Sequence, residues 1–222
     1  MAFTSVDKVR AVTNLTTTVI SDTFISLFIL KAQKDVCDKI NVSVTREEVC
    51  YIDSFRTNYI DGSNNSFYVK NWKKFIADKN RDGDVTISDI DVYLLENDIE
   101  TKATVASIDS STGRFTLSSI PAASVQKIFV SYEYSNFNQM ASEVSKRLED
   151  ITTYLAAAYS YAKKDIGSSG SYKFGNITIN KKLSDNFKFF YELYEGEIGN
   201  LNQGMGGFSE GTVKIWVDVV WQ

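Results

Sequence analysis

NQMASEVSKRLEDITTYLAAAYSYAKKD, residues 138–165, carries the longest helical pattern in the chain. Its apolar positions Met140, Val144, Leu148, Ile151, Leu155, Ala158 and Ala162 step by 4, 4, 3, 4, 3 and 4. Side chains three and four apart share one face of a helix, so the spacing predicts a single stripe buried against neighbouring helices. At about 1.5 Å per residue such a helix runs roughly 40 Å. Its outer face, with Glu143, Lys146, Arg147, Glu149 and Asp150, is free to meet solvent or a second copy.

Three further segments have helical texture. Ser5 to Val12 is a short helix with Thr4 and Asp7 spaced like a capping box. Asp22 to Ile40 places Ile25, Phe28, Ala32, Val36 and Ile40 on one face behind a Ser21 or Asp22 cap. Ser184 is placed to cap a last helix bearing Phe187, Tyr191, Tyr194 and Ile198.

Between the second and third helices the texture changes. From Val49 to Ser135 the chain is rich in Val, Ile, Tyr, Phe and Thr, broken by turn residues. Strands are expected at Phe67–Trp72, Ile90–Leu95, Thr101–Ile108, Arg114–Leu117 and Ile128–Tyr134, with Ala103–Leu117 forming a hairpin around Asp109-Ser110-Ser111-Thr112-Gly113. Tyr172–Phe174 and Ile177–Ile179 suggest a tiny second hairpin. The expected class is therefore α+β: a helical bundle, residues 1–48 and 136–222, interrupted by an inserted antiparallel β domain, residues 49–135. The two crossings should lie side by side, because insertions are tolerated where loop ends are adjacent. A C-terminal strand completes the chain. There Val213, Ile215, Val217, Val219 and Trp221 alternate with Lys214, Trp216, Asp218 and Val220.

Composition narrows the functions. At 222 residues, 43% hydrophobic and 23% charged, the chain can bury a sizeable core. A net charge of −4 argues against a surface devoted to phosphate binding. There is no histidine, which removes Ser-His-Asp and Cys-His catalysis and the common zinc ligand sets. No catalytic residues are expected. Cys37 and Cys50 are too few for a disulfide framework. No apolar run approaches the roughly 20 residues that cross a bilayer. The expected place of synthesis and use is a cytoplasm, where the Asn-x-Ser/Thr triplets at Asn14, Asn41, Asn64 and Asn176 are chance matches.

The most specific chemical signal is Asp78-Lys79-Asn80-Arg81-Asp82-Gly83-Asp84-Val85-Thr86-Ile87-Ser88-Asp89. Oxygen-bearing side chains stand at positions one, three and five, glycine at six, and a carboxylate at twelve. That spacing wraps a short loop around a hard cation. Asp78, Asn80, Asp82 and Asp89 offer side-chain oxygens, Asp84 its carbonyl, and Thr86 a direct or water-mediated ligand. Calcium, with irregular shells of about 6–8 oxygens, suits the set better than magnesium. Aspartate rather than glutamate at position twelve points to a structural ion. The alternative is a solvated Asp-Gly turn.

The terminal segment Thr212–Trp221 is apolar enough to need covering. Either it adds to the chain's own sheet or Val213, Ile215, Trp216, Val217, Val219 and Trp221 form a subunit interface.

Residues 4–15, TSVDKVRAVTNL, followed by Ile20-Ser21-Asp22 and an amphipathic helix, resemble the head–tail connector (adaptor) proteins of tailed phages and viruses. The likeness covers roughly residues 4–42 and more loosely 137–200. Thr116–Ser135 ("TLSSIP…IFVSYEYS") looks like hairpin segments of phage neck and tail proteins, and the Asp78 loop resembles the calcium segment of dockerin modules. The connector resemblance implies a virion protein at the head–tail junction, forming a ring, typically twelve-fold, beneath the portal. It implies contacts with the portal and the next neck or tail-completion protein, and a channel that passes DNA without sequence-specific binding. No membrane partner is implied. The rival expectations are a calcium-dependent, dockerin-like binding module and a carboxylate-based enzyme such as a glycosidase.

Overall fold

The computed structural model describes residues 3–49, 58–168 and 184–203. Four helices form where the periodicity places them. Helix α1 spans Val6–Thr13, α2 Asp22–Ile40, α3 Ser142–Ser168 and α4 Asp185–Gln203. The ends follow local chemistry. The Ser21 hydroxyl accepts from the Phe24 amide (3.5 Å) and the Ser184 hydroxyl from the Phe187 amide (3.3 Å), each satisfying an otherwise orphaned N–H. Helix α1 is capped by Ser5, not by the expected Thr4–Asp7 pair, while Thr4 is buried and shares a 2.6 Å hydrogen bond with Thr153 of α3. Helix α3 begins at Ser142, four residues later than the expected start at Asn138. The Asn138 side chain accepts from the Met140 amide at 3.0 Å and holds that stretch in a turn, leaving Met140 outside the helix.

The stripe is a packing surface. Val144, Leu148, Ile151, Leu155 and Ala158 are buried with Val9 of α1, Ile25, Ile29, Val36 and Ile40 of α2, and Phe190, Tyr194, Ile198 and Leu201 of α4. Each fully buried aliphatic side chain contributes about 1.5–3 kcal/mol, so this cluster holds the helices together.

Among the described residues eight strands make two antiparallel sheets. In the first, β1 (Val42–Glu48), β8 (Lys127–Ser135), β4 (Ile90–Glu96) and β5 (Ile99–Ala103) lie in the order β1-β8-β4-β5. The two-residue β3 (Phe75–Ile76) pairs with the end of β8. The second sheet has the order β2 (Ser66–Tyr68), β7 (Arg114–Leu117), β6 (Val105–Asp109). Ile90, Val92, Ile128, Val130 and Tyr132 from the first sheet meet Phe67, Phe115 and Leu117 from the second in a separate apolar core.

The structure corrects the expected strands in three places. Thr101–Ile108 is two strands broken at Thr104, with β5 and β6 in different sheets. Alternation of period two survives a corner where a strand changes sheets, so the pattern hides the break. Phe67–Trp72 is strand only as far as Tyr68. The polar segment Val42–Glu48, assigned by composition to the helical part, is an edge strand, so the sheet begins at residue 42 and not at 49. Its burial is low throughout and a bulge lies between Val44 and Glu47, where Arg46 has φ +54°, so it lacks the apolar alternation that marks a strand. Val42 pairs with Tyr134, which sets the exit from α2 beside the return toward α3.

The hairpin β6–β7 turns at Gly113 (φ +66°). A Cβ there would sit 2.8 Å from Trp72 Cα and 2.9 Å from a Val69 methyl, so glycine is required both by conformation and by space.

Candidate cation site at the Asp78–Asp89 loop

The loop leaves the sheet directly after β3. The Ala77 amide donates to the Glu133 carbonyl (2.9 Å) and the Asp78 amide to the Gln139 side chain (3.0 Å), so its first residue is anchored to β8 and to the lead-in of α3. At the far end Thr86 and Asp89 form a reciprocal capping box around the single 3-10 turn Ile87–Asp89, which runs into β4.

Asp78 and Asp89, the first and twelfth positions, are completely buried. Asp78 accepts from the amides of Asp82 (3.1 Å) and Gly83 (2.7 Å). Asp89 accepts from Lys79 (2.8 Å) and Asn80 (3.0 Å) with one oxygen and from Thr86 (2.7 Å) with the other. Gly83, at φ +83°, makes the sharp turn that aims its amide inward. Burial, opposed by the Gly83 amide and reinforced by the nearby Asp89 charge, holds the Asp78 carboxyl above its ordinary range.

The remaining sequence-predicted ligands sit on the rim. Asn80, Asp82 and Asp84 are exposed and Thr86 is half-buried. The Asn80 side-chain oxygen accepts from the Asp82 backbone amide (2.9 Å), and the Asn80 side-chain nitrogen donates to the Asp82 carboxylate (3.2 Å) and the Ser88 hydroxyl (2.9 Å). The Asp82 carboxylate accepts from the Asp84 amide (2.9 Å), and the Asp84 carboxylate from the Val85 amide (2.8 Å). The loop therefore brings its two end carboxylates to a buried base and turns the rim groups onto its own backbone. Among the described residues no three acidic or thiol side chains converge on one point. An ionised carboxylate has about four lone-pair sites, so Asp78 and Asp89 keep acceptor capacity beyond these amides. The donor chemistry fits a hard cation. A complete shell would need further oxygens from the rim, where the Asp82 carboxylate is engaged by the Asp84 amide.

Sequence reasoning missed what holds the loop in place. Arg81, at the fourth position with φ +65°, points away from the loop interior. Its guanidinium donates to the Asp78 carbonyl (2.6 Å), to the Lys79 carbonyl (3.0 Å) and to both oxygens of Glu133 on β8 (2.5 and 3.1 Å), and reaches Asp38 on α2 (3.0 Å). Glu133 also accepts from Asn41 (3.0 Å) and Ser43 (3.0 Å). Asn41 donates to the Asp78 carbonyl (3.1 Å), Gln139 donates to Asn41 (2.5 Å), and Gln33 donates to the Arg81 carbonyl (2.7 Å). Burial opposes ionisation of Glu133, but Arg81, Asn41 and Ser43 more than offset it and keep its carboxyl below the ordinary value. Cys37, beneath this network, is pushed up to about 12 by burial and then by the Asp78 charge, so it is a neutral thiol. No local pattern announces a pairing such as Arg81–Glu133, which spans 52 residues.

The expected interface residues Val213, Ile215, Trp216, Val217, Val219 and Trp221 lie outside the described residues, as do Cys50 and the small hairpin near Gly175. No described helix is long and apolar enough to cross a membrane. Compared with protein-family models, curated proteins and solved structures, the chain matches none.

Proposed function

We propose that the chain is a structural virion protein, a head–tail adaptor whose copies form a ring, typically twelve-fold, beneath the portal and link the capsid to the tail. The helices act as one bundle with the strands inserted between α2 and α3, docking on the portal and on sibling copies. The β portion meets the next neck or tail-completion protein, and DNA passes through the channel without sequence-specific binding. One observation carries the reading. Helices from opposite ends of the described chain share a single apolar cluster, while the strands between them keep their own. A shared helical cluster is what the likeness of residues 4–42 and 137–200 to connector proteins implies, and the strands between are an insertion that the smallest connectors lack.

In this reading the Asp78–Asp89 loop holds calcium as a structural ion, stiffening the junction of β3, β8 and α2 to which Arg81 ties it. The same loop favours a second reading, a calcium-dependent binding module of the dockerin kind.

Native mass spectrometry and negative-stain microscopy of the full chain mixed with its portal ring separate the two. A ring of copies seated on the portal is expected. A monomer that ignores the portal and captures another partner only with calcium would overturn the adaptor reading.

A further inference from the structure

Helices α2 and α4 each pack one face against α3, and on the outward side of each, large apolar side chains are exposed among the described residues. On α2 the outward side carries Leu27 and Leu30, 54% and 58% exposed, with Phe24 (44%) at its margin, where the Lys163 ammonium of α3 lies 4.9 Å from the ring centroid; the three stand at steps of three residues. Outward positions of a soluble helix are normally polar, so three large apolar side chains in a row need a cover. Beside them Lys34 is exposed and has no ion-pair partner among the described residues, whereas Lys31 is already paired with Asp35 at 2.8 Å.

The outward side of α4 is different and complementary. Phe189 is 56% exposed, and Glu192, one turn on, is exposed without an ion-pair partner among the described residues. The same face continues through Gly196 and Gly199, where an added Cβ would meet nothing within 4 Å. Neither glycine has a positive φ, so neither conformation nor packing among the described residues calls for it. Glycine is second only to proline as a poor helix former, and a pair of them on an outer face lets another backbone approach closely.

We infer that the outward face of α4 in one copy packs against the outward face of α2 in the next, with Phe189 among Phe24, Leu27 and Leu30, and Glu192 meeting Lys34. The two faces are distinct patches. Such a contact is head-to-tail, and it propagates into a closed ring or a filament instead of stopping at a two-fold dimer. The inference rests on the ring reading in taking a second copy as the occupant, and it names the faces that build that ring. The chain's own residues 204–222 and an unrelated protein are the rival occupants.

Sedimentation velocity and native mass spectrometry of the full chain over a concentration series test it. The parent chain should form multi-copy species. Lys34→Glu and Glu192→Lys should each weaken association about tenfold or more, and the double variant should regain most of it, because the charges then face each other in reverse. Leu27→Asp should abolish association while leaving the circular-dichroism spectrum unchanged. Multi-copy species that form equally in all variants would overturn these faces but leave the ring reading standing. A chain that stays monomeric at every concentration and with its portal would overturn both. A monomer in which Leu27→Cys is shielded from thiol reagents would overturn the inference in favour of residues 204–222 covering α2.

Discussion

Glu133→Ala is the substitution that most directly tests how the Asp78–Asp89 loop is joined to the rest of the molecule. Glu133 receives both arms of Arg81 together with Asn41 and Ser43. Removing it strands a guanidinium whose side chain is 19% exposed. Breaking a buried pair in this way costs about 3–5 kcal/mol. Arg81 keeps Asp38 and two backbone carbonyls, so the lower end applies, about 3 kcal/mol. For a chain of this size that is a fall of about 6–12 °C in Tm. Asp38→Ala removes only the half-exposed arm of the same cluster and should cost about 0–1 kcal/mol. Urea unfolding followed by circular dichroism measures both. If the two variants were equally stable, Arg81 would not be clamping the loop to β8. The same pair sets a pH dependence. The Glu133 carboxyl lies below its ordinary value of 4.5 when folded, so its stabilisation is complete above 4.5 and is lost as pH falls through the folded value. Glu133→Gln should therefore flatten the acid limb of the stability curve. Asp78, raised by burial, acts in the opposite sense, favouring the fold below its ordinary 3.8 and losing that contribution as pH rises through the folded value.

Three further outcomes are expected. Calcium should raise the Tm of the parent chain and leave Asp82→Ala unmoved, and equal thermal shifts in the two proteins would end the ion reading. Gly113→Ala forces a Cβ to within 2.8 Å of the Trp72 backbone at a positive φ and should cost about 1–3 kcal/mol in a urea titration, whereas a neutral result would mean the hairpin relaxes freely. Leu155→Ala, at the centre of the helical cluster, should cost about 2–5 kcal/mol, and a loss below about 1 kcal/mol would place the core elsewhere.

The helices were legible because their information is local. The repeat from Val144 to Ala158 and the serine caps at 21 and 184 require nothing beyond neighbouring residues, and the structure uses all of them. Strand Arg114–Leu117 and its turn were equally readable, since Asp109 and Gly113 carry the turn chemistry themselves. The edge strand Val42–Glu48 was not, because an exposed, bulged strand shows no apolar alternation and exists only by pairing with β8. The corner at Thr104 was hidden for the related reason that alternation says nothing about which sheet a strand joins.

At the Asp78–Asp89 loop the same division holds. The spacing of Asp78, Asn80, Asp82, Gly83 and Asp89 is written in twelve consecutive residues, and so is the donor chemistry. Which carboxylates are buried, and the anchoring of the loop through Arg81 to Glu133 and Asp38, depend on segments 43 and 52 residues away in sequence. Hydrogen-bond partners at that separation are brought together only by the tertiary fold, so local pattern names the loop, and the folded chain alone selects its partners.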